Sequence, residues 1–303
     1  MKDLCIIIPA YNEEFELENT VLSVLEIPEV NKIFIIDNNS NDRTSEVGNT
    51  LALENDKVEY HFEPKQGKGN AFLKGLSLSH EYAFVGLIDA DSTYPASMFS
   101  TFYKKALINN YDMVVGNRMP SYKNNDTRPG HLIGNLFIAK LVRFVSGIEL
   151  KDALSGMRLF SRKFLDYFDS LADGFQLETE FSITCGRHGL RYHEIEVNYK
   201  EREKTNPSKL STLKDGFSIL RFALSNSVFS FTAKATMLTA FFFLIVAISW
   251  SVILVIEYFE QGRVTSVASA VAVSILASLS MQLYIASSLD TRMRRIEKYL
   301  IKR

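Results

Sequence analysis

Phe84-Val85-Gly86-Leu87-Ile88-Asp89-Ala90-Asp91 is an apolar run that stops at two carboxylates separated by a single alanine. The first part has the composition of a buried strand, and the second part would then present two hard oxygen donors at that strand's carboxyl end. Three earlier segments have the same form. Leu4–Ile8 runs into Pro9-Ala10-Tyr11-Asn12-Glu13-Glu14, and Lys32–Ile36 into Asp37-Asn38-Asn39-Ser40-Asn41-Asp42. Lys57–His61 precedes Pro64-Lys65-Gln66-Gly67-Lys68-Gly69-Asn70. Together with Ala83–Ile88 and Asp112–Val115, these short runs alternate with longer stretches of helical periodicity. The first helix is expected from about Glu14 to Glu26, with Leu17, Val21, Leu22 and Leu25 as its core stripe, and the second after Asp42. Strands alternating with helices predict an α/β domain whose mostly parallel sheet is covered on both faces. Ligands of such sheets sit beyond the carboxyl ends of the strands, where all four polar clusters fall.

Each cluster has a chemical reading and a plainer one. Asp89 and Asp91 can be offered near one point if the chain turns at Ala90, which suits Mg²⁺ or Mn²⁺ with positions left for phosphate oxygens and water. A D-x-D is equally an aspartate cap before Pro95 with a solvated turn. Lys65-Gln66-Gly67-Lys68-Gly69 can bring backbone N–H groups and an ammonium to an anion, or be a simple turn. Asp37 can bond a base or ribose, or close an Asx-turn. No G-x-G-x-x-G is present, which argues against a nicotinamide dehydrogenase.

Outside these clusters the composition divides the chain. It has 47% hydrophobic and 23% charged residues overall, yet Ala235–Ile256 and Val264–Leu289 contain no Asp, Glu, Lys or Arg. Each is long enough to cross a bilayer. Arg292, Arg294, Arg295, Lys298, Lys302 and Arg303 follow the second segment, whereas the loop from Glu257 to Arg263 has one basic residue. Basic flanks stay in the cytoplasm, so the reading is a multi-pass inner (cytoplasmic) membrane protein with its catalytic domain and both termini on the cytoplasmic side. The alternative is a buried helical hairpin. The serines of the second segment, with its alanines and Gln282, suit a helix–helix or homo-oligomer contact better than a lipid-facing surface. Between the domain and the first span, Leu213, Phe217, Leu220, Leu224 and Val228 recur at three- and four-residue spacing and predict an amphipathic helix on the membrane surface. The expected boundaries are 1–210 for the catalytic domain, 211–232 for this helix and 233–303 for the hairpin.

A net charge of −1 excludes the whole-molecule basic field of a non-specific nucleic-acid binder. Two cysteines, Cys5 in a predicted buried strand and Cys185 in a predicted helix, provide no disulfide framework and no C-x-x-C metal pair. The apolar run after Met1 is too short for a signal peptide.

Pro9-Ala10-Tyr11-Asn12-Glu13-Glu14, Ile36-Asp37-Asn38-Asn39-Ser40-Asn41-Asp42, Gly67-Lys68-Gly69-Asn70-Ala71 and Asp89-Ala90-Asp91, in that order and spacing, resemble family 2 glycosyltransferases with the nucleotide-sugar-binding GT-A fold. Further along, Val115-Gly116-Asn117-Arg118, Gly134-Asn135, Asp152-Ala153-Leu154-Ser155-Gly156-Met157-Arg158, Phe175-Gln176-Leu177-Glu178-Thr179-Glu180, Tyr199-Lys200-Glu201-Arg202 and Ser208-Lys209-Leu210 resemble the branch containing dolichol-phosphate mannose synthase and bacterial polyprenyl-phosphate glycosyltransferases. The resemblance covers roughly residues 4–212. It implies that Pro9, Tyr11, Asn12, Glu13 and Asp37 hold the nucleoside, that Lys68 lies near the base or diphosphate, and that Asp89 with Asp91 binds the metal and diphosphate. Two departures stand out: Asn38-Asn39 replaces the family's usual Asp-Gly or similar acidic pair, and Thr93 stands where several relatives carry a glutamine metal ligand.

A lipid phosphate needs cationic donors, and Arg118, Arg128, His131, Arg202 and Lys209 lie on predicted loops suited to it. Asp152 is the remaining carboxylate for a role near the reacting centre, while Glu178 and Glu180 fit a loop or helix cap and Arg158 either structure or function. The expected reaction moves a hexose from a nucleoside diphosphate sugar to polyprenyl phosphate with inversion. Bacterial members with a similar hairpin imply a UDP-sugar in preference to GDP-mannose. The rivals are a family 2 transferase acting on another lipid or glycan, and a catalytically silent nucleotide-sugar-binding scaffold. No Q-x-x-R-W motif of a processive synthase is present, and neither span has the ionisable residue a transporter pathway would need.

Overall fold

The computed structural model describes residues 2–124, 139–140, 142–143, 146–168, 177–200, 231–263 and 266–301. The chain divides into two compact units, Met1–Leu224 and Ser225–Arg303.

In the first unit, β1 (Lys2–Ala10), β2 (Val30–Asp37), β3 (Val58–Phe62), β4 (Tyr82–Leu87), β5 (Met113–Asn117), β6 (Arg158–Ser161) and β7 (Tyr192–Glu196) form one sheet in the order β3-β2-β1-β4-β6-β5-β7. All neighbours pair in parallel except β6, which is antiparallel to both β4 and β5. The helices are α1 (Leu17–Leu25), α2 (Thr44–Glu54), α3 (Lys68–Leu78), α4 (Met98–Asn109), α5 (Met119–Asn124), α6 (Arg162–Tyr167) and α7 (Leu177–His188).

Strand alternation separates two cores. Leu4, Ile6 and Ile8 of β1 point to one face, where they join Leu17, Val21 and Val24 of α1, Leu51 of α2, and Phe99 and Phe102 of α4. Cys5 and Ile7 point to the other, with Phe72 of α3, Phe164 of α6, and Phe181 and Cys185 of α7. The chain winds from β1 outward to β3 and then returns to β4 on the far side of β1. This reversal opens a crevice at the carboxyl ends of β1 and β4, the usual binding position in a doubly wound sheet.

The expected α/β layering is present, with two local corrections. The first helix begins at Leu17 rather than Glu14, because Glu13 O accepts from both Glu16 N and Leu17 N and residues 14–16 form the entry turn. Its buried stripe is Leu17, Thr20, Val21 and Val24, whereas Leu22 is 46% exposed. Residues 201–230, including the expected surface helix, lie outside the described residues.

The second unit contains α8 (Phe231–Gln261) and α9 (Val267–Ile301). Ala235–Gln261 and Val267–Asp290 within them are long and apolar enough to cross a membrane, with mean hydropathies of 2.6 and 1.7. Small residues bring the two helices together: Ser280 Oγ donates to Ala240 O at 2.8 Å, and Ala240, Ala247, Ser280 and Ser287 are buried. Phe241, Phe242, Ile253 and Ile275 face outward.

In α7, a Cβ built on Gly186 would lie 1.7 Å from the backbone oxygen of Ser146. A backbone atom cannot rotate away as a side chain can. Gly186→Ala should therefore lose about 1–3 kcal/mol of stability through overpacking, read as a lower urea midpoint for loss of circular dichroism. A midpoint equal to the parent's would place this helix farther from residue 146.

Candidate functional site

The crevice is built from loops that follow parallel strands, and those loops hold one another by side-chain hydrogen bonds to backbone. Asn12, in the left-handed region at φ 53°, accepts from Asn41 N through Oδ1 at 2.8 Å, while its own N–H donates to Ser40 Oγ at 3.0 Å. Glu13 N donates to Thr44 Oγ1 at 2.8 Å. These bonds lock the loop after β1 to the loop after β2. Asp37 ends β2 with its carboxylate buried, accepting from Tyr60 Oη at 2.8 Å and from Ser40 N at 3.0 Å. Pro9 and Tyr11 are half-buried and flank Ala10, the β1 partner of Asp37, with Pro9 paired to Ile36 across the sheet.

Asn38 explains how the Gly67-Lys68 loop is set. Its Nδ2 donates to Lys65 O at 2.8 Å and its Oδ1 accepts from Gly67 N at 2.7 Å. A carboxamide offers both functions, whereas an ionised aspartate only accepts. Gly67 occupies φ 127°, which glycine tolerates readily, and α3 then starts at Lys68.

Lys68 reaches the centre of the crevice. Its Nζ lies 2.5 Å from Asp89 Oδ1 and 2.6 Å from Glu178 Oε1. Burial disfavours the ammonium, but the Asp89 and Glu178 carboxylates outweigh that effect and hold its pKa above the usual lysine value. Gly156 packs closely on Asp89: a Cβ there would lie 2.1 Å from Asp89 Oδ2 and 2.8 Å from Oδ1. Asp91 Oδ1 accepts from Thr93 Oγ1 at 2.5 Å and from Thr93 N at 3.3 Å. Directly after Asp91, Ser92 takes φ 54° and is tied to α1 and its entry turn through Thr20 Oγ1 and Glu16 O.

Asp89 and Asp91 are both partly exposed oxygen donors, and among the described residues no group of three or more His, Cys, Asp or Glu is placed to hold a metal. Two carboxylates, with the remaining positions left to phosphate oxygens and water, fit Mg²⁺ or Mn²⁺ rather than a metal that needs a full protein cage.

Beside this pair stands a second ionic group. Arg118 meets Asp152 in a fork, Nε to Oδ2 at 2.7 Å and Nη2 to Oδ1 at 2.8 Å, and Arg118 N adds a bond to Oδ2 at 3.0 Å. The guanidinium carbon lies 5.4 Å from the Tyr199 ring centre and 5.9 Å from that of Tyr94. Asp152 is 1% exposed, so its carboxylate is turned to Arg118 rather than to solvent. Glu194 supports the same loop by accepting from the backbone N–H groups of Lys151 and Asp152. Burial raises the Glu194 pKa, which those two bonds only partly oppose.

The sheet is doubly wound with carboxylates and cations at its switch point, and residues 5–168 match the sequence family described as Glycosyl transferase family 2. The chain belongs to that family.

Among the relatives of this family 2 chain is glycosyltransferase AglJ of Haloferax volcanii, 29% identical over 70% of this chain and 68% of that one. The dolichyl-phosphate hexose transferase of the same organism is 28% identical over 72% and 90%. A solved glucosyl-3-phosphoglycerate synthase from Mycobacterium tuberculosis, in complex with Mn²⁺, uridine diphosphate and glucosyl-3-phosphoglycerate, matches with a TM-score of 0.56 at 19% identity. That match spans 74% of this chain and 78% of the other, and it shows the GT-A fold.

Of the candidates read from the family motifs, the structure brings Lys68 and Asp89 into direct contact, and Arg118 and Asp152 likewise. Pro9, Tyr11, Asn12, Glu13 and Asp37 line the neighbouring strand ends. Arg128, His131, Arg202 and Lys209 lie outside the described residues. Sequence reading missed the Tyr94–Tyr199 pair around Arg118, the contact of Gly156 with Asp89 and the Lys68–Glu178 bond. Only Gly156 had a local signal, the Ser155-Gly156-Met157-Arg158 run.

Gly156→Ala should displace the Asp89 carboxylate and reduce transfer by about 10²-fold, the scale of an ångström-sized misplacement, with circular dichroism unchanged. Retained activity would show that this contact does not set Asp89. Asn38→Asp should lower stability by about 1–3 kcal/mol, because the Lys65 and Glu63 carbonyls lose their donor. A denaturation midpoint equal to the parent's would refute the bracing role.

Proposed function

We propose that the chain is a membrane-attached, inverting hexosyltransferase that moves sugar from a nucleoside diphosphate sugar to polyprenyl phosphate. The observation that carries this reading is the Asp89/Asp91 pair with Lys68 at the switch point of a family 2 sheet, in a chain that also has two apolar helices long enough to span a membrane. The named activity of the dolichyl-phosphate hexose transferase relative supports the acceptor class. A UDP-sugar is favoured over a GDP-sugar, consistent with the uridine diphosphate in the structural neighbour.

Pro9, Tyr11, Asn12, Glu13 and Asp37 are assigned to the nucleoside, and Lys68 to the diphosphate. Asp89 and Asp91 would hold a bound Mg²⁺ or Mn²⁺, which supplies positive charge to the departing diphosphate. Arg118, Arg128, His131, Arg202 and Lys209 are assigned to the acceptor phosphate. Asp152 then orients Arg118, since the fork fixes the Nε–Nη2 edge of the guanidinium. A phosphate monoester has its second pKa near about 6, so it is already largely dianionic at neutral pH. Its oxygen attacks the anomeric carbon as the bond from that carbon to the diphosphate oxygen breaks. No strong general base is required.

For the organisation, residues 1–210 are assigned to catalysis, 211–232 to a surface helix and 233–303 to a hairpin. The basic residues from Arg292 onward, against one in the intervening loop, favour both ends of the hairpin on the cytoplasmic side of the inner membrane.

Purified protein given labelled UDP- and GDP-sugars with undecaprenyl phosphate should move label into the lipid phase, UDP-sugars being the better donors. EDTA should abolish this transfer, and Mn²⁺ or Mg²⁺ should restore it. Asp89→Asn and Asp91→Asn should each cost at least about 10²-fold in turnover. Full activity in EDTA would sink the metal assignment, and transfer only to water-soluble acceptors would sink the lipid one.

A further inference from the structure

Glu178 is a carboxylate in an unlikely place. It sits in the first turn of α7 with only 4% of its surface exposed. An ionised group so placed needs a cation, since removal from water is strongly unfavourable without one. The Lys68 ammonium meets it at 2.6 Å, and the same ammonium contacts Asp89 Oδ1 at 2.5 Å. Lys68 thus has two seats, one buried and one on a partly exposed carboxylate.

The two seats differ in what else reaches them. On Asp89, the carboxylate packs against Gly156, where a Cβ would lie 2.1 Å from Oδ2 and 2.8 Å from Oδ1, and Lys68 already stands at Oδ1. An ammonium and a divalent cation on one carboxylate repel each other. Glu178 has no such competitor, because it is enclosed by the fold.

The geometry points to Glu178 as a positioning residue that takes over the Lys68 ammonium when Asp89 receives a divalent cation, keeping the lysine beside the crevice without competing for Asp89. This rests on the assignment of a metal to Asp89 and Asp91. Another charge near Glu178 is the buried Arg158 guanidinium, whose field interacts with it. A purely structural Glu178 would serve that arginine, and its loss would then show in stability and not in ion binding.

The test is Mn²⁺ binding to the full chain in detergent, read from the paramagnetic resonance signal of the free ion, for wild type, Glu178→Gln, Lys68→Met and the double variant. Glu178→Gln should weaken Mn²⁺ by about tenfold, because among the described residues the ammonium then keeps Asp89 as its ion-pair partner. Lys68→Met should bind at least as tightly as wild type. In the Lys68→Met background the Glu178→Gln change should alter affinity by less than about twofold, since Glu178 acts through the lysine. Equal weakening in both backgrounds would mean that Glu178 acts on the ion by its own charge, and the handover would be overturned. Wild-type affinity in Glu178→Gln would overturn it as well. If Glu178→Gln does not fold, Glu178→Asp replaces it in the same cycle with the same criterion. Absence of Mn²⁺ binding by the wild type is a different failure, which removes the metal assignment and the handover with it.

Discussion

Arg158 is fully buried on β6, and the loop that shapes the crevice hangs from its guanidinium. Nη2 donates to Ala153 O at 2.7 Å and Nε to Ser155 O at 3.1 Å, while the Phe181 ring lies 5.5 Å from the guanidinium carbon. Burial lowers its pKa, and the nearby Glu178 and Asp152 charges act against that. Three residues of the loop so held make contacts in the crevice. Asp152 engages Arg118, Ser155 stands 3.4 Å from Tyr94 Oη, and Gly156 both packs on Asp89 and donates its N–H to that hydroxyl at 2.8 Å. One antiparallel strand between β4 and β5 therefore sets the position of residues on either side of it.

The parallel part of the fold was legible because β1, β2 and β4 are buried on both faces and read as continuous apolar runs. β6 was not, since Arg158-Leu159-Phe160-Ser161 is short and begins with a charged residue. β7, Tyr192-His193-Glu194-Ile195-Glu196, is a half-buried edge strand that reads as polar. The phase of α1 was misread at Leu22 because Thr20, which bonds Ser92, takes an inward position that composition assigns to an apolar residue. Strand-end clusters were visible for the same reason as the strands: a polar burst after an apolar run. What joins them is long-range. Lys68 and Glu178 are 110 positions apart, and Tyr94, Arg118 and Tyr199 come from three separate loops, so no local spacing records either group.

Each cation named in the crevice is paired with a carboxylate before any ligand is considered. Lys68 lies between Asp89 and Glu178, and Arg118 is held by Asp152. Donors aimed in advance need little reorganisation when charge develops, which is where an electrostatic site gains most. The arrangement also separates two tasks by burial. Glu178 and Asp152 are enclosed and orient cations, whereas Asp89 and Asp91 keep exposed surface. Four acids of similar intrinsic acidity thus acquire different roles from their surroundings.

The two departures from the family pattern follow the same logic. Asn38 turns inward, and its amide braces the loop that ends in Gly67, so the position has become a backbone support instead of a charged surface. Thr93 likewise turns its hydroxyl to Asp91 and its carbonyl to Lys200 N at 2.9 Å, which ties the two-acid turn to the segment after β7. Neither substitution leaves a buried polar atom without a partner. Each replaces a longer or charged side chain by one that satisfies local backbone or carboxylate groups. A carboxylate held by a threonine at one oxygen can present the other in a fixed direction. The rigidity an additional protein ligand would lend Asp91 is partly supplied by hydrogen bonds from Thr93, and an ion bound there, as proposed, would have fewer protein oxygens around it and more of its coordination left to the substrate.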